Sequence, residues 1–235
     1  MIVVRACLRD GTGGSPTTVT RTFELGPTSH TVWIGPGPEL RFFTSTGELP
    51  ACGHGTIAAL AVLGPGEYEV RAGGRTFRGR AWTSGDLTAA AFDPGAVTLR
   101  SPSSAEAGSV LAALGLPGSA ADLAVASVGR ERLLVPVGTR EELAALVPDQ
   151  AALRTACDAA GLLGCYVYSR PDGAGRAAAR MFAPSIGVPE DIANANSTFC
   201  LAAALGTPVT VDMGDALGEP ATIHADLREV SGYCR

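Results

Sequence analysis

The sequence predicts an α+β protein built from two similar halves, each a β-sheet wrapped around one buried helix. Three features lead to this prediction: short β-type segments bounded by Gly and Pro, two short and almost entirely apolar helical segments, and a weak internal duplication. The apolar segments are Gly55–Leu63 and Ser197–Leu205. Because a helix that is apolar on every side has no face for solvent, we expect strands to enclose both.

The remaining elements follow from local patterns. Apolar or alternating runs between turn-forming residues predict strands at Ile2–Leu8, Thr17–Leu25, His30–Ile34, Leu40–Thr44, Tyr68–Ala72, Thr76–Ala81, Leu87–Phe92, Leu133–Val137, Cys165–Tyr168, Ala177–Phe182, Pro208–Met213 and Thr222–Leu227. Ala105–Leu114 has one apolar face and follows two serines that can cap a helix. Arg140–Leu146 and Gln150–Ala160 are amphipathic and are also predicted to be helices.

The duplication and an expected linker at Ser101–Ala105 set the predicted boundary between the halves. A similar four-residue segment, Arg41–Thr44 in one half and Arg180–Ala183 in the other, precedes each apolar helix. We therefore expect one half at 1–102 and the other at 103–235. The last strand of the chain can pair with the first half. In this arrangement the N-termini of the two apolar helices face each other across a cleft.

Composition limits the class of protein. The chain has 235 residues, is 46% hydrophobic and has a net charge of −5, with 18 Arg and no Lys. The arginines are scattered, so we expect no nucleic-acid partner. No apolar run is long enough to span a bilayer and no signal pattern opens the chain, so we expect a soluble cytoplasmic protein without a membrane partner. The Cys and His spacing does not match a zinc site and no nucleotide-binding loop is present, so we expect neither metal nor cofactor.

The segment Gly47–Ile57 is the strongest functional signal. It places the Cys52 thiol and the His54 imidazole two residues apart, where the first apolar helix begins. Unpaired N–H groups and the positive end of the helix dipole bind anions at such a turn, and a thiol there gains thiolate character. The segment therefore predicts a site where a carboxylate and a proton-transfer group meet.

Several motifs resemble the PhzF-like isomerases of the diaminopimelate epimerase fold. Gly47–His54 is similar to the GELPFCGH motif of that family, and its continuation is close to the CGHGTI of proline racemases. Further similar segments follow in the family's order: Gly13–Pro16, Ser127–Arg130 with Leu133–Val137, and Arg180–Pro184 with Glu190–Asp191. The resemblance implies a diaminopimelate-epimerase-like fold with an active cleft between its halves. It also implies cofactor-free proton transfer next to an acidifying group.

The chain departs from these motifs at positions that matter for the chemistry. Proline racemases use a second Cys where this chain has Asn194, so inversion between two thiols is excluded. PhzF-like isomerases have a shuttle Glu in an S-E-T triplet, and His30 stands at that position here. The Gly and Ser of the family's DPATGS segment, which help to hold a carboxylate, are Ala195 and Asn196.

Four side chains are candidates for the chemistry. His30, which titrates near neutral pH when unperturbed, can take and return a proton, and Cys52 is the other candidate base. In the relatives the residue matching His54 contacts the substrate or its leaving proton, and the residue matching Asp191 faces the ligand. Each also has a structural alternative: a hydrogen-bonded strand histidine, a thiol packed under a helix, a helix-start histidine and a capping carboxylate. The predicted substrate-binding residues are Ser15, Gly53, Gly55, Thr56, Asn194, Ala195, Asn196 and Ser197.

The expected activity is an isomerisation. One base can lift a proton from one carbon and return it to another, which moves a C=C bond, while helix N-termini stabilise the developing charge. We expect the substrate to be a small unsaturated amino or imino acid, such as a pyrroline- or proline-like carboxylate. We expect the reaction to belong to antibiotic biosynthesis or other secondary metabolism. The expected oligomeric state is a homodimer. The alternatives are a dehydratase or epimerase of hydroxyproline-like acids, using Cys52 with water or Asp191, and a non-catalytic ligand-binding or assembly protein.

Overall fold

The two apolar helices lie inside curved β-sheets in the computed structural model, which describes residues 1–116 and 122–235. The helices are α1 (Gly53–Leu63), α2 (Ser104–Leu114), α3 (Arg140–Ala144), α4 (Gln150–Ala160) and α5 (Ala195–Leu205). The strands are β1 (Ile2–Ala6), β2 (Ser15–Thr20), β3 (His30–Ile34), β4 (Leu40–Thr44), β5 (Gly47–Leu49), β6 (Gly66–Ala72), β7 (Arg75–Ser84), β8 (Leu87–Phe92), β9 (Thr98–Arg100), β10 (Ala124–Ser127), β11 (Glu131–Val137), β12 (Cys165–Ser169), β13 (Arg176–Ala183), β14 (Val188–Asp191), β15 (Val209–Met213), β16 (Ala221–Ala225) and β17 (Val230–Cys234). The predicted α+β class is confirmed.

The N-terminal sheet wraps around α1. Its strands are hydrogen-bonded in the order β5, β4, β3, β2, β1, β17, β8, β7 and β6. All neighbours are antiparallel except β2 and β3, whose parallel register places Thr17 opposite His30. Every residue from Gly53 to Leu60 is buried, because strands of this sheet pack on several sides of the helix.

The C-terminal sheet encloses α5 in a related way. Its order is β9, β10, β11, β12, β13, β15, β16 and β17, with parallel pairs at β11–β12 and β13–β15. β14 pairs with the end of β13. β17 therefore borders both sheets, and β9, which precedes residue 102, pairs with the second half.

Two apolar cores stabilise this arrangement. The larger core surrounds α1 and α5, and the second lies where α2 and α4 pack together over the strands of the C-terminal half. All six cysteines are free and buried, including Cys234 near the end of the chain. Within the described ranges, no helix combines the length and the apolar character needed to cross a bilayer.

Several strands escape the sequence patterns. The predicted set does not include β5, β9, β10, β14 and β17. β9, for example, is exposed along its length and has no apolar alternation. The predicted strand Thr17–Leu25 is too long. It ends at Thr20, and Arg21–Leu25 is exposed to solvent.

The first turns of α1 and α5 touch each other. A Cβ atom placed on Gly53 would lie 2.8 Å from the Cβ of Ala195 and 2.9 Å from the backbone nitrogen of Asn196. Both distances are too short for a real Cβ contact, so only glycine allows the two helix ends to approach this closely.

We expect Gly53→Ala to destabilise the protein by about 1–3 kcal/mol, because the added methyl group forces the two helix ends apart. The matched control is Gly108→Ala in α2, where a Cβ meets no atom within 4 Å. That change should stabilise the protein by roughly 0.5–1 kcal/mol through helix propensity. Urea unfolding measures both effects, and an unchanged stability of Gly53→Ala would contradict the contact between the helices.

Candidate active site

The N-termini of α1 and α5 open into one cavity of about 220 Å³. Part of its wall consists of residues that the sequence singles out: His30, Cys52, Gly53, His54, Asp191, Asn194 and Asn196. Apolar side chains complete the wall, among them Leu49, Val128, Leu163, Ile186 and Val188. The cavity therefore suits a small molecule with a polar end and an apolar body.

Cys52 and His54 form a pair at the start of α1. Cys52 is the N-cap residue in extended conformation, but its side chain makes no capping hydrogen bond. Its Sγ lies 3.6 Å from Nε2 of His54. Nδ1 of the same ring lies 2.8 Å from the backbone oxygen of Ala193, so an N–H at Nδ1 donates to this carbonyl and turns Nε2 toward the thiol. The ring thus links the two halves.

The surroundings of His54 favour its charged form. Burial opposes a charge there, but the negative charges of Cys52 and Asp191 and the hydrogen bonds of the ring outweigh burial and raise the pKa of His54 to about 10. Asp191 Oδ1 lies 4.0 Å from Nδ1. The Asp191 carboxylate also accepts a hydrogen bond of 2.9 Å from Nδ2 of Asn194. At neutral pH the site therefore holds a fixed imidazolium.

His30 occupies the first position of β3 and faces His54. The two rings meet edge to face with centroids 4.5 Å apart. His30 is 5% exposed, and its Nδ1 lies 3.1 Å from Oγ of Ser29. Burial, followed by the positive charge of His54, lowers the pKa of His30 to about 4. The imidazole is therefore neutral at pH 7 and can accept a proton, rather than titrating near neutrality as the sequence alone suggested.

Five predicted substrate-binding residues, all within the described ranges, do not line this cavity: Ser15, Gly55, Thr56, Ala195 and Ser197. Three of them make contacts that support the neighbouring site residues. A Cβ on Gly55 would lie 3.0 Å from the Cys52 sulfur, so this glycine leaves room for the thiol. Thr56 Oγ1 donates to the Cys52 carbonyl at 2.8 Å. The backbone N–H of Ser197 donates to the Asn194 side chain, which caps α5.

Three arginines line the cavity and were not among the predicted site residues. Arg130 and Arg132 come from the turn and strand at β10–β11, and Arg75 begins β7. Arg130 and Arg132 are two residues apart in the sequence, but only the tertiary structure brings Arg75 to them. One signal in the sequence could have identified Arg132. It directly precedes the apolar run Leu133–Val135, and a charged residue buried with such a run usually has a charged partner.

A metal ion could also find ligands here. The donor atoms of His30, Cys52 and His54 all lie within 4.8 Å of one another. Zinc accepts such a set of one thiolate and two imidazoles. The same three groups are equally suited to moving a proton, so the expectation of a metal-free site stays a prediction.

A family profile and several known proteins match this chain. The profile of PhzC-PhzF, described as phenazine biosynthesis-like protein, covers residues 28–230. The chain belongs to this family. An uncharacterized isomerase, YddE of Salmonella typhimurium, is 29% identical over 171 residues, which are 67% of this chain and 57% of that protein. The chain thus matches little more than half the length of this relative.

Two further comparisons cover more of both chains. Trans-2,3-dihydro-3-hydroxyanthranilate isomerase of Pseudomonas fluorescens is 29% identical over 201 residues, 79% of this chain and 69% of that enzyme. A crystal structure of the Bacillus anthracis phenazine biosynthesis protein of the PhzF family superimposes with a TM-score of 0.79 at 14% identity. That superposition covers 99% of this chain and 94% of the other, so the two proteins share a fold.

Titration of the histidines tests the charge arrangement. By NMR, with His30→Asn and His54→Asn variants for assignment, we expect the His30 ring to titrate near pH 4 and the His54 ring to stay charged up to about pH 10. The His54→Asn change removes the cationic neighbour and should raise the pKa of His30. A wild-type His30 that titrates at about 6.5, the unperturbed value, would contradict this geometry.

Metal analysis tests the expected absence of a cofactor. We expect protein purified without chelator to hold far less than one equivalent of metal, and dialysis against a chelator to leave the melting temperature unchanged. An equivalent of zinc that survives purification, and whose removal lowers the melting temperature, would show that the three donor groups form a metal site.

Proposed function

We propose that this chain is an isomerase that moves a proton, and with it a C=C bond, within a small unsaturated carboxylic acid without a cofactor. The supporting observation is the neutral His30 imidazole, whose ring lies 4.5 Å from the cationic His54 ring in a cavity between two helix N-termini. A base, a fixed cation and oriented N–H groups are the groups such a proton transfer needs.

In more detail, the proposed substrate is an amino or imino acid of pyrroline or proline type, and the proposed reaction belongs to secondary metabolism such as antibiotic biosynthesis. The racemase-like segment Cys52–Ile57 supports the ring-shaped acid. The Pseudomonas relative supports the substrate class, because its named substrate is an unsaturated amino carboxylic acid. The family description supports a place in a biosynthetic pathway.

The geometry suggests how the residues share the work. The substrate carboxylate binds at the free N–H groups that begin α1, where no acidic side chain competes in the first turn. The His54 cation and the helix dipoles then stabilise the negative charge that develops when the C–H bond breaks. His30 takes the proton and returns it to a second carbon of the conjugated system, which shifts the double bond.

A second candidate activity depends on Cys52. Its sulfur lies 3.6 Å from His54 Nε2, so the pair can exist as thiolate and imidazolium. With Cys52 as the base, and Asp191 or water acting from the other side, the same cavity would serve an epimerase or a dehydratase of hydroxyproline-like acids. Asn194, which caps α5, excludes a second thiol from the matching position.

Deuterium exchange separates the candidate functions. The protein is incubated in heavy water with trans-2,3-dihydro-3-hydroxyanthranilate, pyrroline-2-carboxylate and 4-hydroxyproline, and the products are analysed by mass spectrometry and NMR. An isomerase introduces deuterium at a new carbon and shifts the double bond. An epimerase introduces it at the original carbon, and a dehydratase releases water. If no acid gains deuterium or loses water, the proposal is wrong and a binding protein is favoured.

Variants identify the base. His30→Ala should lower turnover by roughly 10²–10⁴-fold, the usual effect of losing a general acid–base group, while substrate affinity changes little. Cys52→Ala should lower turnover only slightly. His30→Glu should keep part of the activity, because a carboxylate can also carry the proton. A severe Cys52→Ala effect together with a fully active His30→Ala would assign the proton to the thiol instead.

A further inference from the structure

The arginines of the cavity differ from most others in the chain. Ten of the 18 arginines form ion pairs with carboxylates in the described residues. In the same ranges, Arg75, Arg130 and Arg132 have no carboxylate within ion-pair distance, although all three line one cavity. Residues 117–121 contain no acidic side chain that could pair with them.

Arg132 is the most unusual of the three. It is 2% exposed, and its Nη1 donates to Sγ of Cys200 at 2.9 Å. Nη1 also lies 3.5 Å from the backbone oxygen of Asn196, in the first turn of α5. Its Nε is buried without any hydrogen-bond partner. A buried guanidinium without an anion is unfavourable, which indicates that a negatively charged ligand completes this environment.

The other two arginines are placed to act with Arg132. Nη1 of Arg75 donates to the backbone oxygen of Val128 at 3.3 Å, which fixes this side chain against the turn that carries Arg130. Burial and the positive charge of Arg132 lower the pKa of Arg130, as expected when like charges lie close together without an anion between them.

The charges of the cavity exceed what one carboxylate can balance. Three guanidinium groups line the cavity, and Asp191 is the only carboxylate among its lining residues in the described part of the chain. The helix N-termini already provide a place for the substrate carboxylate. We therefore propose that the substrate carries a second anionic group, a carboxylate or a phosphate, and that Arg75, Arg130 and Arg132 bind it. Planar guanidinium groups recognise both anions through paired hydrogen bonds.

Calorimetry with unreactive probes tests this assignment apart from catalysis. Furan-2-carboxylate and furan-2,5-dicarboxylate share a flat ring and differ by one carboxylate. We expect the dicarboxylate to bind the wild-type protein about 10- to 100-fold more tightly, the usual effect of adding charge-assisted hydrogen bonds. Inorganic phosphate is added as a competitor. If the two furan acids bind equally tightly and phosphate displaces the dicarboxylate but not the monocarboxylate, the arginine site is assigned to a phosphorylated acid.

Two arginine variants and a control complete the experiment. Arg132→Gln and Arg130→Gln should each bring the affinity for the dicarboxylate close to that for the monocarboxylate, and leave the monocarboxylate affinity unchanged. Arg78→Gln, outside the cavity and without a carboxylate partner in the described part of the chain, should change neither. Because Arg132 is buried, its variant is checked by melting temperature, and half-buried Arg130 provides a variant with less risk to folding.

The outcomes also separate this assignment from the proposed function, on which it rests. Equal affinity for the two furan acids with no competition by phosphate would overturn it, as would arginine variants that lose both probes alike. Tight dicarboxylate binding without deuterium exchange in the three acids named above or in glutaconate, an unsaturated dicarboxylic acid, would keep the anion site and reject the isomerase. Deuterium exchange at full rate in Arg130→Gln and Arg132→Gln would keep the isomerase and reject the second anionic group.

Discussion

The molecule depends on the contact between the first turns of α1 and α5. Two helix N-termini carry partial positive charges, so their approach is unfavourable unless negative groups lie between or beside them. Gly53 lets the helices meet, and the carbonyl of Ala193 and the Asp191 carboxylate stand beside the His54 ring at this junction. The shared sheet strand β17 holds both halves in place around the contact. The cavity lies beside this contact, between the N-termini of α1 and α5.

The electrostatics of the cavity follow from that geometry. His54 is held between groups that favour its charged form, and its charge then disfavours a second cation on His30. One imidazole is thus a fixed cation and its neighbour a neutral base, although both have the same intrinsic pKa. The protein as a whole carries a net charge of −5, yet the charge at this site is positive. Attraction of an anion is therefore a property of the site and not of the whole surface.

The sequence predicts those parts of the structure that local patterns determine. The five predicted helices occur within two residues of their expected bounds, because capping residues and apolar runs are local signals. The resemblance to known motifs locates His30, Cys52, His54 and Asp191, which meet in one cavity. The strand β9 is exposed and its pairing is long-range, so no local pattern reveals it. The arginine cluster escapes detection for the same reason.

The replacement of a glutamate by His30 connects the base to the arginines. In the motif that this chain resembles, the shuttle residue is acidic, and an ionised glutamate would offset part of the positive charge around it. A neutral imidazole at position 30 removes that negative charge, and the buried guanidinium of Arg132 lines the same cavity. Both features make the charge of the cavity more positive. The proposed ligand with two negative groups would restore the balance, and negative charge close to His30 would make the imidazole more basic when it must accept the proton.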